Sequence, residues 1–198
     1  MSPIEFIHAD ATAYGISISA DEIGRLDANV SAATYRKNAV VFAQSSITNA
    51  LLLVTQGVAG SLQSLEDGSC AIARFFEAGD FCTNINSAFE RIIHNDELVA
   101  MTPLTGIVID FGFFLDMYRQ GGSIGHYFRE KLMAVLLYDK DLLCVKTLAS
   151  IEHRYRFLET RHPDVIAAVT DKNIARFLGV TPQGLSRFLK NRRIVNRG

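Results

Sequence analysis

The 198-residue sequence has no tryptophan, only three cysteines and no apolar run long enough to span a bilayer. A membrane-spanning helix needs about 20 mostly apolar residues, so the sequence predicts no transmembrane segment. The N-terminus lacks the basic stretch followed by an apolar stretch that marks an export signal. Cys70, Cys82 and Cys144 are widely spaced without a C-x-x-C pair, which fits a reducing cytoplasm and argues against a structural zinc or iron–sulfur site. We therefore expect a cytoplasmic protein with no membrane partner.

Clustered metal ligands and catalytic motifs are also missing. Metal sites usually need ligands at close spacing on a strand or helix. No two of the five histidines are two or four residues apart; they are His8, His94, His126, His153 and His162. The sequence contains no glycine-rich phosphate loop, nucleophile elbow or paired carboxylates. We predict no catalytic residue, no metal and no cofactor, and hence a protein that is not an enzyme.

The charge of the chain is unevenly distributed, although the net charge is only −1. Residues 150–198 carry ten Lys and Arg against four Asp and Glu, a net charge of +6, which leaves −7 on residues 1–149. A basic C-terminal module on an acidic body is typical of a protein that places one end on nucleic acid phosphate. The charge distribution alone would also fit a basic tail that contacts RNA or an acidic partner.

The sequence of residues 170–191, TDKNIARFLGVTPQGLSRFLKN, predicts two short helices joined by a tight turn. Gly179 stands where the chain leaves the first helix, and glycine favours the left-handed conformation found there. Thr181 followed by Pro182 is a typical helix start, a capping hydroxyl before a proline at the first helical position. In the second helix, Leu185 and Leu189 are expected to face inward.

The second helix also carries a polar stripe. Gln183, Ser186, Arg187 and Lys190 follow a spacing of three and four residues, so they share one helix face. Side chains at this spacing can enter a DNA major groove together, and Arg and Gln form paired hydrogen bonds with base edges. A surface helical hairpin with ordinary solvated charges is the alternative.

Residues 33–116 consist of short apolar segments separated by turn residues, which predicts an antiparallel β body. A capping box, Ser19 to Glu22, opens a short helix before it, reaching about Val30. Asp67-Gly68 is a strong hairpin turn. The candidate strands are residues 39–42, 51–55, 58–65, 71–76, 98–101 and 106–111. Many short strands at this spacing indicate a jelly roll or similar β-roll.

A long helix is predicted over residues 123–146, after the break at Gly121-Gly122. Its apolar line is close to a heptad seam, interrupted at Asp139. The residues of this line are Ile124, Phe128, Leu132, Val135 and Leu142. We predict that Phe128, Leu132, Val135 and Leu142 form a dimer contact; a helix packed only on its own domain is the alternative.

This order of elements resembles the Crp/Fnr family of bacterial transcription regulators. The resemblance is most specific at residues 174–187, IARFLGVTPQGLSR. It implies an α+β fold with an N-terminal antiparallel β-roll at residues 1–122, a dimerisation helix and hinge at 123–149, and a C-terminal winged helix-turn-helix at 150–198. It also implies DNA contacts at Thr181, Gln183, Ser186, Arg187, Lys190 and Arg192. Gln183 stands where most members carry an acid.

The ligand side resembles the family less. Members that bind cyclic nucleotides carry a Gly-Glu pair soon after a Gly-Asp-Phe turn, then an arginine that pairs with the phosphate. Here Gly79-Asp80-Phe81 is followed by Cys82, Thr83 and Asn84, and His94 stands at the arginine position. The candidate effector pocket therefore consists of Thr83, Asn84 and His94. We expect that the protein does not respond to cAMP.

The sequence thus predicts a dimeric, sequence-specific DNA-binding transcription regulator. Its expected partners are a pseudo-palindromic DNA operator, a second copy of the chain, RNA polymerase and an unidentified small-molecule effector. One alternative is a cyclic-nucleotide sensor of the same family, or a haem sensor ligated by His94 or Cys82. The other is a β-roll interaction protein or enzyme whose basic tail binds nucleic acid without specificity.

Overall fold

The computed structural model describes residues 1–93 and 96–195, and within them two antiparallel sheets of four strands each. The strands are β1 (Val30–Tyr35), β2 (Val40–Phe42), β3 (Ala50–Gln56), β4 (Ala59–Ser64), β5 (Cys70–Phe76), β6 (Phe81–Cys82), β7 (Asp96–Ala100) and β8 (Leu104–Asp110). One sheet has the order β1-β8-β3-β6 and the other β2-β7-β4-β5. This is the strand order of a jelly roll, so the predicted β-roll is confirmed.

Turn residues stand where the chain reverses between strands, at the β4–β5 hairpin and at the crossing from β3 to β4 in the other sheet. Gly68 has a φ of +77° between β4 and β5, and the Asp67 side chain accepts a hydrogen bond from Ser69 N at 2.9 Å. Gly57 has a φ of +88° between β3 and β4, and a Cβ there would lie 2.2 Å from the carbonyl oxygen of Pro103. The hairpin predicted at Asp67-Gly68 is therefore confirmed, and Gly57 is required by both conformation and space.

Nine helices are described around the sheets. They are α1 (Pro3–Ala13), α2 (Ala20–Asp27), α3 (Ile85–Glu90), α4 (Phe111–Gln120), α5 (Gly122–Leu148), α6 (Ile151–Arg161), α7 (Pro163–Ala168), α8 (Asp171–Leu178) and α9 (Pro182–Val195). The capping box of Ser19 and Glu22 opens α2 as expected. The strand predicted at residues 106–111 and the β body predicted to residue 116 end too late, because Asp110 accepts from Phe113 N at 2.8 Å and caps α4.

The first core lies between the sheet β1-β8-β3-β6 and the helices α1, α2, α4 and α5. Phe114 of α4 and Phe128 of α5 are fully buried there, with ring centroids 4.9 Å apart. Glu22 of α2 joins the start of α5, since its carboxylate accepts hydrogen bonds from Ile124 N at 3.2 Å and from the Ser123 hydroxyl. The β-roll and the first half of α5 are therefore one packed unit.

A second core joins the other sheet to the C-terminal helices. Phe75 of β5 and Phe177 of α8 are both buried, and their ring centroids are 5.2 Å apart. Residues from both sides of the boundary predicted at residue 150 thus share one core. Between residues 150 and 195 all described elements are helices, so the helix-turn-helix is present and the described residues supply no strands for the predicted wing.

Candidate functional site

The turn between α8 and α9 is built by three local features. Gly179 has a φ of +68° in the left-handed region and ends α8. Val180 N then donates to the carbonyl oxygen of Ala175 at 3.0 Å. The Thr181 hydroxyl accepts from Gly184 N at 3.0 Å and caps α9, whose first residue is Pro182. Gly179 and Thr181, on which the prediction of a helix-turn-helix was based, therefore form the turn and the cap in the structure.

The polar stripe of α9 consists of Gln183, Ser186, Arg187 and Lys190, all of which are exposed. On the opposite face, Leu185 is buried against α8. Among residues 1–93 and 96–195, no salt bridge engages Arg187 or Lys190. The stripe therefore presents two cations and two hydrogen-bonding side chains to an external partner.

Arg192, for which a DNA contact was predicted, does not belong to this stripe and is engaged within the chain. Its Nη1 and Nη2 donate to the two carboxylate oxygens of Glu159 in α6, each at 2.7 Å. Its Nε lies 3.4 Å from the carboxylate of Glu152. Hydrogen bonding to Glu159 raises the pKa of the Arg192 guanidinium above its usual value. Arg192 therefore faces α6 instead of the solvent.

The apolar line predicted as a dimer contact on α5 packs inside the chain. Phe128 belongs to the first core, Leu142 to the second, and Val135 is 7% exposed, while Leu132 is half-buried against the first core. This assignment was wrong because α4, which the sequence did not predict, supplies part of the missing partner surface. The exposed apolar residues of α5 lie on another face: Met133, Leu136, Leu137, Leu143 and Leu148.

A cavity of about 350 Å³ lies between the β-roll and α5, and Thr83 and Asn84 are among its lining residues. The Thr83 hydroxyl donates to the carbonyl oxygen of Ala50 at 2.9 Å. The Asn84 side chain accepts from Ser87 N at 3.1 Å and caps α3. The Thr83 hydroxyl and the side-chain oxygen of Asn84 are thus used by the fold. His94, the third residue of the predicted effector pocket, lies outside the described residues.

Arg74 is the buried cation in the wall of this cavity. Its Nη1 donates to Asp139 of α5 at 2.7 Å, and its guanidinium carbon lies 4.3 Å from the ring centroid of Tyr138. The nearby Asp80 lies 4.0 Å from Nη2. Among the described residues, its buried Nε has no hydrogen-bond partner. No sequence spacing pointed to Arg74, because Asp139 and Tyr138 come from a distant helix.

Lys146, near the end of α5, connects the same cavity to the helix-turn-helix. Its Nζ donates to the carbonyl oxygen of Ile72 at 2.6 Å and lies 4.4 Å from the ring centroid of Phe177 in α8. Burial lowers the pKa of Lys146 to about 8. No sequence pattern indicated this contact, because it depends on the packing of α8 against β5.

Three polar side chains form a second connection between the β-roll and the C-terminal helices. His162, between α6 and α7, contacts Glu77 through Nδ1 at 2.5 Å and the Tyr138 hydroxyl through Nε2 at 2.6 Å. His162 is 5% exposed, and burial raises the pKa of the Tyr138 hydroxyl. These hydrogen bonds satisfy both ring nitrogens of His162, which would otherwise be buried at a cost. They fix the α6–α7 corner to β5 and α5.

Other kinds of site have little support in the described part of the chain. Within residues 1–93 and 96–195, no three His, Cys, Asp or Glu side chains are grouped so that they could hold a metal. Burial raises the pKa of the Cys82 thiol well above its usual value, which opposes the thiolate form needed for ligation. Among the described helices, none combines the length and the hydropathy that a bilayer span requires.

Solved structures share this arrangement of a jelly roll, a long helix and a helix-turn-helix. The chain is similar to FixK2 from Bradyrhizobium japonicum, with 15% sequence identity, a TM-score of 0.68, and 84% of this chain and 86% of that chain covered. It is also similar to a protein from Eubacterium rectale described as a transcriptional regulator of the Crp/Fnr family, with 16% identity, a TM-score of 0.67, and 89% and 84% covered.

A third similar structure is CLP of Xanthomonas campestris, a c-di-GMP-responsive global regulator, with 17% identity and a TM-score of 0.66 over 90% of this chain and 93% of that chain. The sequence matches no protein-family model and no curated protein. At these identities the similarity establishes the fold. The family resemblance found in the sequence is therefore confirmed at the level of architecture.

Proposed function

We propose that the protein is a dimeric, sequence-specific DNA-binding transcription regulator of the Crp/Fnr type. The observation that carries this proposal is the polar stripe of α9, Gln183, Ser186, Arg187 and Lys190. The four side chains are exposed on one face of a helix that is capped by Thr181 and packed against α8 through Leu185. A capped, rigidly packed helix with such a face is suited to a major groove.

Each side chain of the stripe has a distinct role in this proposal. Arg187 is suited to guanine, because its planar donors match the O6 and N7 acceptors. Gln183, one helical turn earlier, offers one donor and one acceptor, which match adenine N7 and N6. Ser186 is the third base-reading position that the family resemblance implies. Lys190 is suited to a phosphate contact, which positions the helix without determining sequence.

Dimerisation is proposed through the exposed face of α5. Met133, Leu136, Leu137, Lys140 and Leu143 follow the three- and four-residue spacing of a helix–helix seam. The helix has 27 residues, about 40 Å, which is long enough to join two β-rolls. A two-fold axis along this face would place two recognition helices about 34 Å apart, one turn of DNA.

We also propose that the protein does not respond to cAMP. The positions that follow the Gly79-Asp80-Phe81 turn hold Thr83 and Asn84, whose polar atoms already serve Ala50 and α3. A small-molecule effector of another kind is the second candidate function, favoured by the cavity beside α5. The proposal also includes a cytoplasmic location, contact with RNA polymerase at the operator and no catalytic activity.

The test is footprinting of the purified protein on DNA from its own genomic neighbourhood, followed by competition with random DNA at two salt concentrations. We expect a protected site with two half-sites about 10 base pairs apart and a preference of at least about 1,000-fold over random DNA. Arg187→Ala should weaken this binding, while Arg36→Ala, an exposed arginine of the β-roll, serves as the matched control. Equal affinity for all fragments would support the alternative of a non-specific basic tail.

A further inference from the structure

The C-terminal half of α9 is attached to α6 by a set of contacts that the DNA-binding proposal does not use. Arg192 is seven residues after Leu185, or about two helical turns, so the two side chains share the inner face of α9. The polar stripe of Gln183, Ser186, Arg187 and Lys190 lies on the other side. Arg192 is therefore placed to hold the helix and not to contact its ligand.

The facing side of α6 is matched to Arg192. Glu152, Tyr155 and Glu159 are spaced by three and four residues, so they lie along one face of α6. Glu159 accepts two hydrogen bonds of 2.7 Å from the guanidinium, and Glu152 lies 3.4 Å from Nε. The Tyr155 ring centroid is 5.0 Å from the guanidinium carbon. All three nitrogen atoms of the guanidinium thus face carboxylates of one helix.

The geometry of this contact restricts the rotation and tilt of α9. A bidentate Arg–carboxylate pair fixes both the distance and the plane of the two groups, which a single hydrogen bond does not. Phe188 adds a ring contact with Tyr155 at 5.4 Å on the same side. Leu185 holds the N-terminal half of α9 against α8, and Arg192 holds the C-terminal half against α6. The helix is thus attached at both ends of its inner face.

We propose that Arg192 is a positioning residue for the recognition helix, and that its pairing with Glu159 sets base selectivity without any contact between Arg192 and DNA. This inference rests on the proposed function, because it assigns the control of selectivity at that same helix. Ion pairs that are partly exposed contribute little to stability in general. The expected consequence of losing the pair is therefore a misaligned stripe more than an unfolded domain.

Two variants separate positioning from phosphate contact. Glu159→Gln leaves the charge of Arg192 but weakens its attachment to α6. If Arg192 positions α9, this variant should lose about tenfold or more in operator preference over random DNA, the cost of about one mismatched base pair. If Arg192 instead contacts phosphate, releasing it from Glu159 should leave or increase the affinity for all DNA, and the proposal fails.

Arg192→Met is the second variant, and it keeps the apolar stem of the side chain. The proposal predicts a similar loss of operator preference, with the salt dependence of binding unchanged. A phosphate-contacting arginine would instead lower the salt slope by about one per protomer and weaken all sequences alike. Arg192→Lys, which keeps the charge but not the bidentate pair, should give an intermediate loss. Arg161→Met is the matched control, because Arg161 of α6 is exposed and pairs with Asp141 at 3.3 Å.

Hydrogen exchange on the DNA-free protein keeps this inference separate from the proposed function. Glu159→Gln and Arg192→Met should both increase amide exchange in the C-terminal half of α9, while the N-terminal half near Leu185 stays protected. If the wild-type protein shows no operator preference, the proposed function is contradicted. The exchange measurement then still decides whether Arg192 positions α9. Unchanged exchange in both variants, or unchanged selectivity in a protein that has an operator, would overturn the proposal.

Discussion

The ring of Phe75 in β5 lies 5.2 Å from the ring of Phe177 in α8, and both side chains are buried. This contact makes the β-roll and the helix-turn-helix parts of one core. Lys146 adds a cation–π contact to Phe177 at 4.4 Å, and His162 with Glu77 adds a buried hydrogen bond at the same junction. The C-terminal helices are therefore packed against the β-roll and α5 by apolar, cation–π and hydrogen-bonding contacts.

We expect Phe177→Ala to lower the free energy of unfolding by about 3–5 kcal/mol, because a large buried ring is removed and the cavity refills only partly. Both halves should still unfold in one transition in urea, followed by circular dichroism and by tyrosine fluorescence. Phe89→Ala is the control, since Phe89 is 45% exposed and its loss should cost clearly less. Two separate transitions in the wild type would contradict the shared core.

Glu22 makes the stability of the α2–α5 junction dependent on pH. Burial alone would raise the pKa of Glu22, but hydrogen bonds from Ser123, Ser19 and the Ile124 amide lower it to about 2. A carboxyl with a lowered pKa in the folded state stabilises the fold above its unfolded pKa of about 4.5, and this contribution is lost as the pH falls towards 2.

Glu22→Gln should therefore cost on the order of 1 kcal/mol at pH 7, after allowance for solvent screening of a partly exposed group. The difference between wild type and variant should shrink as the pH falls below about 4.5. Urea unfolding at a series of pH values measures both. Glu66→Gln, at an exposed turn, is the control, and a difference independent of pH would contradict the role of the charge.

The exposed face of α5 leads to a prediction about assembly. Leu136→Asp with Leu143→Asp should give a folded monomer in sedimentation, because both side chains are more than half exposed in the single chain. Operator binding should weaken strongly, since one protomer contacts only one half-site. Ile93→Asp, at an exposed isoleucine outside α5, should stay dimeric. Wild-type protein that sediments as a monomer at micromolar concentration would contradict the proposed dimer.

Cyclic AMP is expected to have no effect. A ligand stabilises a protein only by binding to its folded state and changes function only by binding one state better than another. Saturating cAMP should therefore change neither the melting temperature nor the affinity for DNA. A rise of several degrees in melting temperature at sub-millimolar cAMP would show that Thr83 and Asn84 were interpreted incorrectly.

The sequence predicted the parts of the fold that local chemistry determines. Asp67-Gly68, Gly179 and Thr181-Pro182 stand at turns and caps whose conformation depends mainly on the residue itself, and each is confirmed. The helix α4 was missed because Phe111-Gly-Phe-Phe114 is a continuous apolar run, which fits a buried strand as well as a helix. Only its cap and its packing against α5 decide between the two.

The face of α5 that is exposed in the single chain could not be chosen from the sequence, because this helix carries apolar residues on both sides. Phe128 and Leu142 are buried, while Leu136 and Leu143 are exposed, and only the position of the β-roll distinguishes the two sets. Arg192 was not predicted to contact Glu159 either. The sequence could have indicated this contact, because Arg192 is seven residues after Leu185 and both residues therefore lie on the inner face of the same helix.

In the proposed function, the exposed stripe of α9 determines the DNA sequence that the protein binds. Binding-site selection from random DNA with wild type, Gln183→Glu and Arg187→Ala tests this role. Gln183→Glu replaces a donor with an acceptor and should move the preference at one position of each half-site towards a cytosine amino group. Arg187→Ala should cost about 1–3 kcal/mol and relax selectivity at one base pair of each half-site. If all three proteins select the same motif, Gln183 and Arg187 do not contact bases, and the assignment of α9 as the recognition helix is wrong.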